Sequence, residues 1–554
     1  MNDDIKSFIA AVFLSALVVL GFNLLFPQNK EITKQSHEVA SNVEVPVDVA
    51  SEAEVKEDNL SMEDILKSTP RIKISNSSLS GSLRLTGLRF DELFLSKYKQ
   101  NLEDDSPNVQ LFSPAKTDNT FYAEYGWLSQ NSGIIVPDKN SEWEILGNNE
   151  LSPNSPITLV WENGQGIKFI YDISVDENYL FNIHQSIENN SGKVITLYPY
   201  GRFKRVVSEE QKRSIVHEGF TAFINNDLEE ISFTKIDEDE PEKFETTGGW
   251  VSFSEKYWFS SFIFSDTYKA KINLRKTSDN AYQLDFKGLP VQIQSGSVSS
   301  FSSQMYAGAK DIKLLDKYSK NIKKFDLNID FGWYYFLTKP FFYILDYLYN
   351  LIGNMGWAIL LFAACLRLVM FPVANKSFEN MSKMKKVQPK IMALQAIYKE
   401  DKIALQRATM ELYQKEKINP ASGCLPMFIQ IPIFFSLFKV LNIALEIRHT
   451  PFIGWIKDLS APDPLTISAW SGLPIPSMLD IGVWPIIYGF TMYVQQKLNP
   501  APANKDQARM FAMLPIIFTI MFAHFASGLV IYWTLSNILS IIQQRLIMRK
   551  NGVK

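Results

Sequence analysis

The run WAILLFAACLRLVMFP (357–372) decides how this chain is read. It is apolar throughout except for one arginine, Arg367, five residues before Pro372, and it leads into a heavily charged segment, 376–417. A membrane-spanning helix needs about 20 mainly apolar residues, because lipid offers no water to satisfy its backbone. The window 354–373 fits, and similar windows follow at 424–445, 480–496, 510–526 and 528–544. The last two nearly abut at Ala526-Ser527-Gly528, which predicts a tight hairpin. Near the start, SFIAAVFLSALVVLGFNLLF (7–26) makes a sixth span. Phe26-Pro27-Gln28-Asn29-Lys30 after it is a poor cleavage site, so 1–28 reads as an uncleaved signal anchor; cleavage is the alternative. The aromatic stretch FGWYYFLTKPFFYILDYLYNLI is interrupted by Lys339, Pro340 and Asp346. It predicts an amphipathic helix over 331–353 lying in the interface, with a seventh span as the alternative.

The 554-residue chain therefore divides into unlike halves, hidden by a mean hydropathy of −0.06. A net charge of −3 gives no reason to expect a specific nucleic-acid partner. Cys365 and Cys424 fall in apolar runs, which removes a disulfide framework and a cysteine zinc site, and the five scattered histidines form no HExxH motif. A compact cytosolic enzyme does not fit. Positive residues set the orientation. Segment 376–417 carries a net +5, segment 497–509 a net +2, and the tail 546–554 is basic without an acid. In a six-span arrangement all three fall on one side, which should be cytoplasmic, with both termini inside and residues 27–330 outside.

Residues 29–70 have ten acids against four bases and read as a flexible acidic linker. From 71 to 330, β-rich runs such as ITLVW (157–161), IKFIYDISV (167–175) and WVSFS (250–254) alternate with turn residues. Asn163-Gly164 between two such runs signals a hairpin, and Gly164-Gln165-Gly166 reads as a turn rather than a phosphate loop. A β-sandwich follows, with folding, docking or binding as its default role and no catalytic constellation.

Ionisable residues inside the membrane are the best functional pointers. The five C-terminal spans hold no interior carboxylate, which weighs against an ion-coupled transporter, and two cations remain, Arg367 and Lys439. Arg367 either snorkels to the headgroups or faces a water-filled cavity that attracts acidic segments. Lys439, in the outer part of its span near Glu446, reads as snorkelling. Gln430, Ser536, Asn537 and Ser540 are uncharged polar residues within spans, and Pro426, Pro432, Pro485 and Pro515 would kink them. Interhelical hydrogen bonding and a polar cavity lining both remain open for these residues. His524 and Ser527 lie three apart, yet Ser527 sits in a turn without GxSxG, so a protease dyad is a poor fit.

In 376–417, Phe378, Met381, Met384, Val387, Ile391, Leu394 and Tyr398 recur on one helical face, and a second helix carries Leu405, Ala408, Leu412 and Tyr413. Two antiparallel helices give a basic cytoplasmic hairpin. It is either self-packed and solvated or a landing surface for ribosome, targeting receptor, nascent chain or anionic lipid, through Lys383, Lys385, Lys386 and Lys390.

Five stretches carry a resemblance: RLVMFP (367–372), KMKKVQPKI (383–391), INPASGCLPMFIQIPIF (418–434), WIKDLSAPDP (455–464) and SGLVIYWTLSNILSIIQQ (527–544). In this order and spacing, throughout 331–554, the chain resembles the YidC/Oxa/Alb family of membrane protein insertases, in its Gram-negative form with a large periplasmic domain. The resemblance implies an α-helical polytopic inner-membrane protein of six transmembrane helices, with a periplasmic all-β super-sandwich and a cytoplasmic helical hairpin. It implies a five-helix core over 354–545 enclosing a hydrophilic groove, with Arg367, Gln430 and Trp533 as groove residues and Tyr532, Ser536 and Asn537 as further lining. It implies no catalytic residue, no metal and no cofactor. Nascent membrane proteins, the Sec translocon, a ribosome or targeting receptor and membrane lipids would be the partners. An assembly chaperone dependent on the translocon is the alternative, and a small-molecule or lipid transporter a more distant one. Ala363 stands where the family commonly has threonine, Ala526 where it has proline, and Lys439 where it has an uncharged residue; the loop 465–481 is longer than usual.

Overall fold

A computed structural model describes residues 44–46, 62–212, 216–238, 241–277, 281–398, 401–418, 425–500, 505–552. The expected anchor 7–26 and most of the acidic linker lie outside these residues. Two pieces of the linker are structured. Met62–Lys67 is a short helix, and residues 44–46 lie against the β domain, where Arg202 donates to the Pro46 carbonyl at 2.7 Å and Arg275 to that of Val45 at 3.0 Å.

Alternation of apolar and polar residues builds eighteen strands among the described residues, from Arg71–Ser75 to Ser297–Ala309. The expected hairpin forms between Ile157–Glu162 and Ile167–Val175. Gly164 and Gly166 take positive φ there, and the Asn163 carboxamide accepts from the backbone N–H groups of Gln165 and Ile167 at 2.8 and 3.1 Å. The strands form two layers. Strand Leu180–Asn189 pairs antiparallel with Ile167–Val175 on one side and Ser297–Ala309 on the other. In the facing layer, Ile195–Val206 pairs with Phe121–Ser129 and Ala281–Gly288. Two long strands, Glu242–Ser254 and Trp258–Lys276, belong to both layers. Trp258–Ile263 pairs with Ser297–Ala309, whereas Ala270–Lys276 pairs with Ala281–Gly288. Their shared bend falls at a register shift where Gly248 and Gly249 have φ of +71° and +84°, a conformation that costs a Cβ-bearing residue energy. Aromatic rings fill the space between the layers, with Phe203 stacked on Phe262 at 3.9 Å and Phe90 edge-on to Phe181 at 5.5 Å.

The chain leaves the sandwich through α1 (Ile312–Tyr318) and enters α2 (Tyr335–Ile352). Ion pairs tie the two together: Lys339 lies 2.6 Å from Asp316 and 2.8 Å from Asp326, and Lys313 lies 2.8 Å from Asp346. Phe341, Phe342 and Leu345 are buried, while Phe336, Tyr347 and Leu351 are exposed, so α2 is two-faced as the sequence predicts. Gly353 ends α2 in the left-handed region, and the Asn354 side chain caps α3 (Met355–Ile397), accepting from the Trp357 N–H at 3.1 Å.

Here the structure departs from the expectation of a span followed by a separate hairpin helix. α3 runs unbroken through Pro372 and Pro389. Its 43 residues, at about 1.5 Å each, reach far beyond the roughly 30 Å of hydrocarbon. Asp401 then caps α4 (Lys402–Lys415) through the N–H groups of Ile403 and Ala404. The apolar face of the second half of α3 is divided. Phe378, with Ala374, packs on Ile547, whereas Val387 and Ile391 pack with Ile418, Leu412 and Tyr413. The remaining helices are α5 (Leu425–Ile443), α6 (Val483–Leu498), α7 (Lys505–Phe522) and α8 (Ser527–Lys550). Among the described residues, α3 alone is both long and apolar enough to cross a membrane by itself; Phe428–Ile443 and Ala508–Phe522 are shorter apolar stretches.

Candidate functional site

The helical half exposes many large apolar side chains and buries a stripe of polar ones beside its apolar core. α8 shows this most clearly. Tyr532, Ser536, Asn537, Ser540, Gln543 and Gln544 are all buried, at spacings that place them along the faces turned to the other helices. Gln543 donates to Asn375 of α3 at 3.2 Å, Asn537 to Thr491 of α6 at 3.4 Å, and Gln544 to Asn499 at 3.1 Å. The Ser540 hydroxyl is spent on the Ser536 carbonyl at 2.7 Å. Asn375, Thr491, Asn499, Gln543 and Gln544 were not singled out by sequence reasoning; the Gln-Gln pair closing an apolar run was the one available signal.

Arg367 stands on α3 opposite this stripe. It is partly buried, and its Nε and Nη2 nitrogens are buried without a hydrogen-bond partner among the described residues. Its guanidinium lies 5.8 Å from the Phe378 ring centre, and Tyr532 is within electrostatic range. Gln430 of α5 donates to the Tyr532 hydroxyl at 3.4 Å. Arg367, Gln430 and Tyr532 thus come together across three helices. Trp533 points elsewhere, into an aromatic cluster with Phe434 at 5.6 Å, Phe522 at 6.3 Å and Tyr488 at 6.5 Å, and its indole N–H is buried without a partner among the described residues. Of the four hairpin lysines, Lys383 and Lys386 are exposed, Lys385 is half-buried, and Lys390 is paired with Glu416 at 2.6 Å.

Lys439 does not snorkel. It forms an ion pair with Asp330 at the foot of the sandwich, fastening α5 to the β domain. Glu446 instead lies in a short 3-10 turn with Oε2 buried and unpartnered among the described residues; burial pushes its carboxyl up to about 8. Ser527 is no nucleophile, because its hydroxyl donates to the Ala461 carbonyl at 2.8 Å while His524 is exposed. Among the described residues no cluster of three or more His, Cys, Asp or Glu side chains could hold a metal.

Residues 71–344 match the family model described as the YidC periplasmic domain, and residues 347–554 the one described as 60Kd inner membrane protein. The membrane protein insertase YidC of Rickettsia felis is 43% identical over 571 aligned positions covering all of both chains. The chain belongs to the YidC family of membrane protein insertases. YidC of Rickettsia bellii is 42% identical over 98% of this chain and 99% of its own. A crystal structure titled as an active YidC insertase with its first transmembrane domain resolved covers 85% of this chain and 91% of its own, at 18% identity and a TM-score of 0.36. A galactose mutarotase related enzyme from Lactobacillus acidophilus covers 43% of this chain at a TM-score of 0.32, too loose a likeness to bear on chemistry. As a YidC family member, the chain is an inner-membrane protein with a β-rich periplasmic domain and a helical C-terminal part, in a family of insertases and not of enzymes.

Proposed function

We propose that the chain inserts nascent membrane proteins through the polar interior bounded by α3, α5, α6 and α8, with Arg367 as the group that receives them. One observation carries this reading: a half-buried guanidinium with two nitrogens unpartnered among the described residues. An isolated charge away from water is costly, so such a group is kept where water or a charged partner reaches it. A polar tail must cross about 30 Å of hydrocarbon, and a wet groove that reaches part way shortens the dry path. Arg367 attracts acidic residues of the tail, and Gln430, Tyr532, Ser536 and Asn537 offer it neutral hydrogen-bond partners. The apolar segment then moves out into lipid, where burial at about 25 cal/mol per Å² drives release without a nucleotide. Trp533 shapes the aromatic side of the path.

This reading places six spans in the membrane: 7–26, the first half of α3, and α5 to α8. It puts both termini and the α3–α4 hairpin in the cytoplasm and the sandwich in the periplasm, with α2 along the interface. The domain layout is 1–28 anchor, 29–70 linker, 71–330 sandwich, 331–353 interface helix, 354–545 core with hairpin 376–417, and 546–554 tail. Lys383, Lys385 and Lys386 present the hairpin charge to a ribosome, targeting receptor or anionic lipid, and the Sec translocon is the further partner.

The test is protease protection of a one-span substrate in liposomes holding the purified full-length protein. Protection well above protein-free liposomes is expected. In Arg367→Ala, losing a charge-assisted contact of about 1.5–3 kcal/mol lowers insertion of an acidic tail roughly ten- to a hundredfold and leaves a neutral tail unchanged. Equal loss for both tails refutes the electrostatic role. Protection at the protein-free level favours the translocon-dependent chaperone.

A further inference from the structure

The segment joining α5 to α6 carries a second membrane contact that the groove does not use. Residues 466–482 form a closed loop. Thr466 and Gly482 bridge at its neck, and Ile467 N–H donates to the Ile481 carbonyl at 3.1 Å. The one charged residue within it, Asp480, is held inward, accepting from the Thr466 hydroxyl at 2.8 Å and from the Ser468 N–H at 2.8 Å and hydroxyl at 2.5 Å. Nearby, buried Asp463 holds the Trp455 indole and the Leu465 and Trp484 N–H groups. Within the loop, Trp470 and Gly472 N–H groups donate to the Thr466 and Ser468 carbonyls, Leu479 N–H donates to that of Pro476, and Pro474 and Pro476 have no N–H to satisfy. The tip therefore carries no charge and few free donors, yet it is apolar and exposed: Trp470 is 68%, Leu473 61% and Met478 71% accessible.

Turn hydrogen bonds of this kind occur in water-facing loops as well, but an uncharged tip that displays tryptophan, leucine and methionine is the composition of a loop in the outer membrane interface. Two placements commit it to lipid. It lies at the same end of the helices as the β domain, because Arg448, between it and α5, donates to the Gln100 carbonyl at 2.9 Å. It also runs directly into the exposed apolar face of α6, where Ile486 and Phe490 stand. α6 has 16 residues, about 24 Å of helix, short of the roughly 30 Å hydrocarbon thickness. We infer that the loop 466–482 seats its tip in the outer leaflet and makes up the missing depth of α6.

The inference rests on the membrane placement proposed above, and the experiment separates the two. An environment-sensitive fluorophore is attached at Trp470→Cys, and separately at Leu473→Cys, in the full-length protein with Cys365 and Cys424 replaced by serine, reconstituted in liposomes. Phe490→Cys on α6 reports the span, and Asn149→Cys on the sandwich reports water. The expected result is quenching of both loop labels by acyl-chain spin labels, with iodide quenching several-fold weaker than at Asn149→Cys. Loop labels quenched by iodide as strongly as Asn149→Cys, with Phe490→Cys in lipid, overturn the loop inference alone. Loop labels shielded from both quenchers show a protein contact and overturn it as well. Phe490→Cys in water overturns both readings.

Discussion

Buried arginines in the two halves are treated in opposite ways. In the sandwich, Glu124 sits between Arg89 at 2.8 Å and Arg202 at 2.6 Å, all three buried. In the helical half, Arg367 has no carboxylate beside it among the described residues, and two of its nitrogens are buried without a hydrogen-bond partner there. The contrast extends to particular uncharged side chains. The sandwich hides Trp127, Trp250 and Phe203, whereas the helical half exposes Val369 at 75% and hides Gln544 at 1%. One half is built for water and pairs buried arginines with its own carboxylates. The other is built for lipid and leaves a charge for something that arrives.

Three substitutions probe this difference, beginning with the greatest effect. Glu124→Ala removes the carboxylate that Arg89 and Arg202 share and should cost the sandwich about 3–5 kcal/mol, read as a drop in urea midpoint of the full-length protein. Arg367→Ala should leave that midpoint unchanged while lowering insertion; a comparable loss of stability would erase the contrast. Lys439→Ala tests the seam between the halves. Leaving Asp330 half-buried and unpaired should cost roughly 1 kcal/mol and speed limited proteolysis between the sandwich and α2. Combined with Asp330→Asn, the loss should not grow, since both changes remove one interaction. A lysine that merely snorkels would give no coupling.

A further effect, confined to high pH, is expected at Glu446. Its carboxyl is raised in the folded protein to about 8, from an unfolded value of about 4.3. The protonated form is therefore favoured by folding, and its stabilisation is full below the unfolded value and is lost as pH rises through 8. Glu446→Gln should melt like the parent at low pH and a few degrees above it at pH 9. Identical melting at both pH values would place the carboxyl in water.

The sequence made the two halves and their solvents legible, because strand alternation and long apolar windows are local signals. It did not reveal that Glu242–Ser254 and Trp258–Lys276 cross between layers, since that depends on which strand each end pairs with, and alternation along one strand does not name its partner. The continuity of α3 was missed for a different reason. The apolar window ending at 373 and the charged segment starting at 376 read as separate elements, yet packing of Phe378 on Ile547 and of Val387 on Ile418 accompanies one helix running through Pro372 and Pro389. Of the candidate site, Arg367, Gln430 and Tyr532 lie together in the structure, whereas Trp533 turns to the aromatic side. Lys439 was misread because its partner, Asp330, lies outside every apolar window.

The pairing of Leu180–Asn189 with Ser297–Ala309 also sets a timetable. His184 faces Ser302 across a sequence gap of 118 residues, and strand Leu180–Asn189 lacks one of its two neighbours until Ser297–Ala309 has been made. Pairings this distant close slowly. For most of its own synthesis the domain is therefore a set of open sheet edges, and it is sealed only shortly before the first helix of the groove leaves the ribosome.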